Sequence, residues 1–359
     1  MRRAIVRAGL RTLSRLQVPP WVRRVTSDRR VCTIMYHGLK DSPAKGMLNF
    51  NGLHLDVDAF REQACLFAKS YNVLPLADVA EAIRNKAEVP PNCVVLTFDD
   101  GYESNFRLGY PILQEFRLHA TVFVTTGFVE GEFYQWPDRL EWALGVTQKA
   151  KLKLDFDGFP SEVVVSSLEK QQNAHLTLDA AIKRVPQERQ MEAIAHIEQR
   201  AGCALGDLPE AEVPSCYRPL NWQQVREMEA SDHVSIGSHT HSHLILGRAS
   251  PQQAKKDMQH CHRLLRSKGG IRPTTFAYPN GKAGDHTLWT RAMLAEMGIE
   301  TAVTTELGFG ELDADTMQMK RNITPRNRIN ADMLCSGFQA KLNNFFSQSK
   351  EEGRNNFWI

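Results

Sequence analysis

The sequence predicts an α/β protein built on parallel strands, and three observations lead there. Short apolar, β-branched runs alternate with segments of helical periodicity, the pattern of strands joined by crossover helices. Residues of catalytic type stand immediately after several of those runs, where parallel barrels place their active sites. One stretch, about residues 138–230, breaks the rhythm and reads as an insertion.

Val31–Tyr36 reads as a buried strand, followed by a polar loop over about 37–55. Helical spacing over 57–70 runs through Phe60, Ala64 and Phe67, and Val73–Leu76 is a short strand candidate before a helix over 77–84. Asn92–Phe98 is the clearest strand, its continuous apolar run suiting a strand covered on both faces. A helix over 105–116 and a strand at Ala120–Val124 follow. The insertion is mostly polar and helical, punctuated by Gly158, Pro160, Pro186 and Pro209, and suits a lid or a substrate wall. The rhythm returns with strands at His233–Gly237, Thr274–Ala277 and, last, Thr301–Thr304, separated by helices over about 251–268 and 287–297.

The chain of 359 residues, 42% hydrophobic and 24% charged, has an ordinary globular composition, and its length permits one barrel with insertions. A net charge of +3 argues against nucleic acid as a partner. The charge is uneven: no acid precedes residue 28, while Arg3, Arg7, Arg11 and Arg15 line one side of a helix and Val6, Leu10 and Leu13 another. Residues 1–24 therefore read either as a basic amphipathic helix on an anionic membrane surface or as a frayed, solvated terminus. An organelle transit peptide has a similar composition. Arginines interrupt every apolar run near the start, so no signal peptide is evident, and no stretch is long enough to span a bilayer. Seven cysteines without CxxC spacing argue against a disulfide framework or a zinc-thiolate site and favour a reducing compartment. The expected organisation is a basic segment (1–30), one domain (31–340) and a polar tail (341–359), in a cytoplasmic protein with peripheral contact at the inner membrane.

Three constellations carry chemistry. Asp99-Asp100-Gly101 places two carboxylates at a strand end, where one can bind a metal and the other serve as a base; a helix N-cap or a turn is the plainer reading. Ser238-His239-Thr240-His241-Ser242-His243 holds three histidines, and one helical turn would bring His239 and His243 to the same side. Two imidazoles and one carboxylate with open positions make a catalytic metal arrangement; a surface histidine cluster is the plainer reading. Tyr278-Pro279-Asn280-Gly281 is a turn at the same end of the sheet, where a backbone N–H can stabilise an oxyanion.

Thr97-Phe98-Asp99-Asp100-Gly101 resembles the first motif of the polysaccharide deacetylase family, and His239-Thr240-His241-Ser242-His243 its second, His-Thr/Ser-x-x-His. Met35-Tyr36-His37-Gly38 looks like the first-strand signature of members found with exopolysaccharide genes. The resemblance runs from about Thr33 to Ile329, excepting the insertion. It implies a distorted (β/α) barrel of about seven strands. It implies Asp99 as general base, and Asp100, His239 and His243 as ligands of one divalent metal ion, zinc, cobalt or nickel. The implied reaction is attack of metal-bound water on an N-acetyl group of a hexosamine, in a surface polysaccharide or lipid-linked precursor. The amide of Asn280 would help hold the oxyanion.

Two departures stand out. The third motif of many relatives carries an arginine that orients the base; here Ala277-Tyr278-Pro279 lacks it, leaving Arg321 or Arg326 to supply the charge unless both are surface residues. The Leu-x-Leu-His motif that gives many relatives a general acid is not recognisable, so His37, His241 and His286 are the substitutes to examine. Deformylation of a lipid-linked amino sugar is an alternative within the same fold. A catalytically inactive barrel that binds glycan or partner proteins is another.

Overall fold

In a computed structural model, which describes residues 30–311 and 315–338, seven parallel strands close into a barrel. In chain order they are β1 (Val31–Tyr36), β2 (Cys93–Phe98), β3 (Ala120–Val124), β4 (Val234–Ser238), β5 (Thr275–Ala277), β6 (Thr301–Leu307) and β7 (Met319–Ile323). Each pairs with its neighbours in sequence, and β7 returns to β1 through Ile34↔Asn322 and Met35↔Ile323. The circle is uneven. β1 and β2 pair along their whole length, whereas β4 and β5 meet only at Ser238↔Phe276. β6 bulges against β7 between Val303↔Met319 and Leu307↔Arg321, which leaves two extra residues on β6.

Side-chain alternation sorts the strands into an outer and an inner face. Cys32, Ile34 and Tyr36 of β1, with Val94, Leu96 and Phe98 of β2, face outward onto Phe60, Ala64 and Phe67 of helix α1 (Val57–Ser70). The intervening residues point inward: Val31, Cys93, Val95, Phe123, Ala277, Val303 and Met319 form one cluster with Leu76, Val79, Ala80 and Ile83 of helix α2 (Leu76–Arg84). Helix α2 thus plugs the N-terminal end of the barrel, each fully buried aliphatic side chain contributing roughly 1.5–3 kcal/mol. Further up the same strands the inward positions become Thr33 and Thr97, then charged residues. The barrel is apolar below and polar at the C-terminal ends of its strands, where the site lies.

The structure corrects several sequence expectations. Thr301–Thr304 is not the last strand; β7 follows it. Its sequence, Met-Lys-Arg-Asn-Ile, has no apolar run because the barrel interior here accepts an arginine. The polar loop over 37–55 contains two short parallel strands, Gly38–Lys40 and His54–Asp56. The helix expected over 105–116 begins as a π-turn, Asn105–Gly109, before α3 (Tyr110–Phe116). The insertion is not only helical. Between α4 (Trp136–Val146) and the helices α5 (Leu168–Ile182) and α6 (Gln187–Ala201) lies an antiparallel hairpin, Lys151–Lys153 with Glu162–Val164. It also has its own core of Leu140, Leu144, Leu152, Leu178, Ile194 and Ile197, spread over elements that each contribute a narrow apolar stripe.

All seven cysteines are free. No helix among the described residues is long and apolar enough to cross a membrane. The basic N-terminal segment and the tail after 340 lie outside the described residues.

Candidate metal centre and active site

The site begins where β2 ends. Asp99 continues the strand, its N–H donating to the Tyr36 carbonyl at 2.9 Å, and its side chain keeps the inward direction set by Val95 and Thr97. Asp100 then adopts φ 73° and Gly101 φ 88°. For a non-glycine residue the left-handed region costs free energy and persists only where the surroundings impose it. Here it swings the second carboxyl away from the first.

Asp99 meets Arg321 of β7. Its two oxygens accept from the guanidinium at 2.7 and 2.8 Å, a bidentate pair that is 2% and 0% exposed. Two further arginine donors are engaged. Nε donates to the Thr304 carbonyl at 2.8 Å, freed by the β6 bulge, and a terminal nitrogen donates to Thr97 Oγ1 at 3.2 Å. Burial pushes the Asp99 carboxyl up, but Arg321, His239 and His37 outweigh it and hold it at about 2. Arg326, the other candidate for this charge, is exposed.

Asp100 faces the histidines. Its Oδ1 lies 3.6 Å from His239 Nε2 and 3.4 Å from His243 Nε2. One ligand atom from each of the three lies within 4.8 Å of the others. His239 Nδ1 is 2.7 Å from the Ala277 carbonyl, a contact that puts the ring proton on Nδ1 and leaves Nε2 with a lone pair toward Asp100. Burial depresses both imidazoles, His239 to about 3 and His243 to about 4, so both are neutral at ordinary pH. Burial, reinforced by the Asp99 and Asp138 charges, raises Asp100 to about 7 against the opposing effect of His37. Asp100 Oδ1 is buried without a hydrogen-bond partner.

These features fit a divalent cation. The donors are two neutral imidazole nitrogens and a carboxylate oxygen, and the orphaned Oδ1 faces both. Metal–ligand bonds of about 2.0–2.1 Å in a tetrahedron put ligand atoms roughly 3.3–3.4 Å apart, close to the 3.6 and 3.4 Å between Asp100 and the two imidazoles. The His243 side chain is 27% exposed against 2% for His239, so the approach from outside lies on the His243 side.

His239 and His243 do not lie on a helix, contrary to the sequence expectation. The segment after β4 is a loop with Thr240 at φ 65° and His243 at φ 55°. Its left-handed residues, rather than a helical turn, bring the rings to 5.0 Å. His241, between them, turns away: its Nε2 is 3.1 Å from Glu132 and its ring stacks on His260 at 4.1 Å. That removes it as a proton donor at this centre. His286 stacks on Tyr278 at 4.4 Å, while His37 is the one of the three whose charge bears on both Asp99 and Asp100. Asn280, at φ 60° in the turn after β5, is held by Thr305, which donates to its carbonyl, and by Asp285, which accepts from its side-chain amide.

One group beside the site carries no sequence signal. His54 and Asp138, both fully buried, stand 3.5 Å apart, and Tyr102 donates to Asp138 at 2.9 Å. Glu141 accepts from Tyr217 and from the Asn51 amide, each at 2.6 Å, and burial raises its carboxyl to about 7. This network ties the insertion helix α4 to the barrel rim. It also explains Gly38, where a Cβ would sit 2.0 Å from His54 Nδ1.

Residues 86–302 match the family model described as polysaccharide deacetylase. Poly-beta-1,6-N-acetyl-D-glucosamine N-deacetylase of Escherichia coli (strain K12) is 36% identical over 88 residues, 24% of this chain but only 12% of that protein's length. The polysaccharide deacetylase-like YxkH of Bacillus subtilis (strain 168) is 20% identical over 323 residues, 90% of this chain and 79% of the relative. Among solved structures, the Streptococcus pyogenes deacetylase PplD in complex with acetate aligns with a TM-score of 0.55 at 18% identity, covering 86% of this chain and 97% of that one. IcaB from Ammonifex degensii aligns with a TM-score of 0.51 at 15% identity, covering 86% and 98%. With the family model spanning more than half of its length, the chain belongs to the polysaccharide deacetylase family.

Proposed function

We propose that the protein is a metal-dependent carbohydrate N-deacetylase, acting on N-acetylhexosamine units of a surface polysaccharide or its lipid-linked precursor. The observation that carries this reading is the convergence of Asp100, His239 and His243 on one point beside a second carboxylate, Asp99, that takes no part in the cluster. Family membership and the local match to an N-acetylglucosamine polymer deacetylase support the substrate class. An inactive binding barrel would leave both the orphaned Asp100 oxygen and the Asp99–Arg321 pair without a purpose.

In this mechanism Asp100, His239 and His243 would hold a divalent cation, whose chemistry when bound would be to polarise the amide carbonyl and lower the pKa of water. Asp99 is the proton acceptor. Arg321 keeps it ionised and fixes both oxygens, trading basicity for position: a carboxylate at about 2 takes a proton only while the new C–O bond forms. The amide of Asn280 is the proposed second donor to the oxyanion. His37, at the end of β1, is the proposed donor to the leaving amine. The products are acetate and a free amine. Cytoplasmic placement with peripheral membrane contact remains part of the proposal, resting on the arginine-rich first 24 residues.

The direct test is acetate release from N-acetylglucosamine oligomers and polymers by the metal-loaded protein, compared with Asp99→Asn. The variant is expected to lose about 10²–10⁴-fold in kcat while binding metal stoichiometrically. Unchanged turnover in Asp99→Asn would exclude Asp99 as the base.

A further inference from the structure

The loop that carries His239 and His243 contains two residues in a conformation disfavoured for their type, and something must hold it there. Three contacts come from the one-turn helix Thr126–Val129. The Thr126 N–H donates to the Thr240 carbonyl at 3.2 Å and the Gly127 N–H to the His241 carbonyl at 2.8 Å, while Thr126 Oγ1 lies 3.0 Å from His241 Nδ1. Gly127 is required for this approach, since a Cβ there would stand 2.7 Å from the His241 oxygen. These contacts hold one face of the loop.

The backbone of its other face is held by Asp257. Asp257, on helix α7 (Pro251–Leu264), accepts from the His241 N–H at 2.6 Å through Oδ1. Through Oδ2 it accepts from the Ser242 N–H at 3.1 Å and the Ser242 hydroxyl at 2.5 Å. One carboxylate thereby gathers three donors from the two residues just before His243. Hydrogen bonds to an ionised acceptor are among the stronger ones in proteins.

We infer that Asp257 is a positioning residue for the metal centre: it fixes the His239–His243 loop so that both imidazoles face Asp100, and thereby sets metal affinity. The inference rests on the proposed assignment of those three residues as ligands. His241 belongs to the same device. It occupies the variable position between two ligands and serves as an anchor, paired with Glu132 and stacked on His260.

The test uses the whole protein, stripped of metal, and measures the Zn²⁺ dissociation constant by competition with a chelator, together with the visible spectrum of the Co²⁺ form. Asp257→Ala is expected to weaken Zn²⁺ binding by about 10–100-fold and to alter the Co²⁺ spectrum. Asp257→Asn, which keeps a carbonyl acceptor, is expected to lose less. Leu66→Ala opens a cavity under helix α1, in an apolar cluster that holds no residue of the loop. It is expected to lower Tm while leaving metal affinity intact, which separates positioning from general destabilisation. If His243→Ala loses binding but both Asp257 variants bind as wild type, the inference is overturned and the ligand assignment stands. If wild type and His243→Ala bind alike, the ligand assignment fails and the inference with it.

Discussion

Replacing Arg321 with Met removes the countercharge hydrogen-bonded to Asp99 and leaves a carboxylate in the barrel interior. The structure contains its own reference for the result. Asp100, next in the chain and similarly enclosed but without an ion pair to a basic side chain, stands at about 7, whereas Asp99 stands at about 2. Removal of one partner from a buried pair costs about 3–5 kcal/mol, which is the loss expected here. Its pH dependence identifies the cause. In the wild type the Asp99 pKa is depressed below its ordinary 3.8, so its stabilisation is present above about pH 4 and is lost as pH falls toward 2. In Arg321→Met the folded-state pKa moves up toward that of Asp100, so the penalty is absent at low pH and grows as pH rises toward 7. Denaturant unfolding in the presence of chelator, at pH 5 and pH 8, measures the deficit. It should be larger at pH 8, and Arg321→Lys should recover part of it, keeping the charge but not the fork. A deficit equal at both pH values, or below about 1 kcal/mol, would refute the account.

Metal removal should lower Tm and abolish acetate release, with recovery on adding Zn²⁺, Co²⁺ or Ni²⁺. Because Asp100 titrates near 7 without metal, the Tm gain on loading should be greater at pH 8 than at pH 5.5. Glu141, raised to about 7, contributes stability that is complete below its ordinary 4.5 and is lost as pH rises through 7. Glu141→Gln should therefore flatten the stability profile between about pH 4.5 and 7, as unfolding curves across that range would register. Gly38→Ala drives a Cβ into the His54 ring and should cost about 1–3 kcal/mol by thermal or denaturant unfolding, with the far-ultraviolet spectrum preserved.

What could be read from the sequence followed from how locally each feature is encoded. β2 and its Asp-Asp-Gly ending were legible because a strand buried on both faces is a continuous apolar run and the carboxylates follow it directly. The histidine spacing pointed to a shared direction, yet the helical explanation was wrong: a loop with left-handed residues at 240 and 243 also brings residues four apart together. β7 was not legible, because its inward position is held by Arg321, whose charge conceals the strand and is meaningful only beside Asp99, 222 residues away in sequence. The same holds for His54 with Asp138, for Tyr217 with Glu141, and for Asp257 with the loop it clamps. Each is an ordinary polar residue until the fold supplies its partner.

The adjacency of Asp99 and Asp100 shows how one backbone turn divides labour between two identical side chains. Carboxylates next to each other in a buried site repel, and if both stayed on the inner face they would share one environment and one pair of coupled titrations. Strand alternation alone would send the second one outward into the apolar layer between barrel and helices, where it could reach neither metal nor substrate. The left-handed conformation at Asp100 provides a third direction, across the strand ends toward β4 and its following loop. Arg321 can then engage Asp99 with both terminal nitrogens without neutralising Asp100, and a cation at Asp100 can be held without consuming Asp99. Gly101 makes a second consecutive left-handed residue tolerable, and a Cβ there would press on Val124 at 3.2 Å. The geometry thus demands glycine after the two acids for a steric reason, and that demand precedes any chemistry the acids perform.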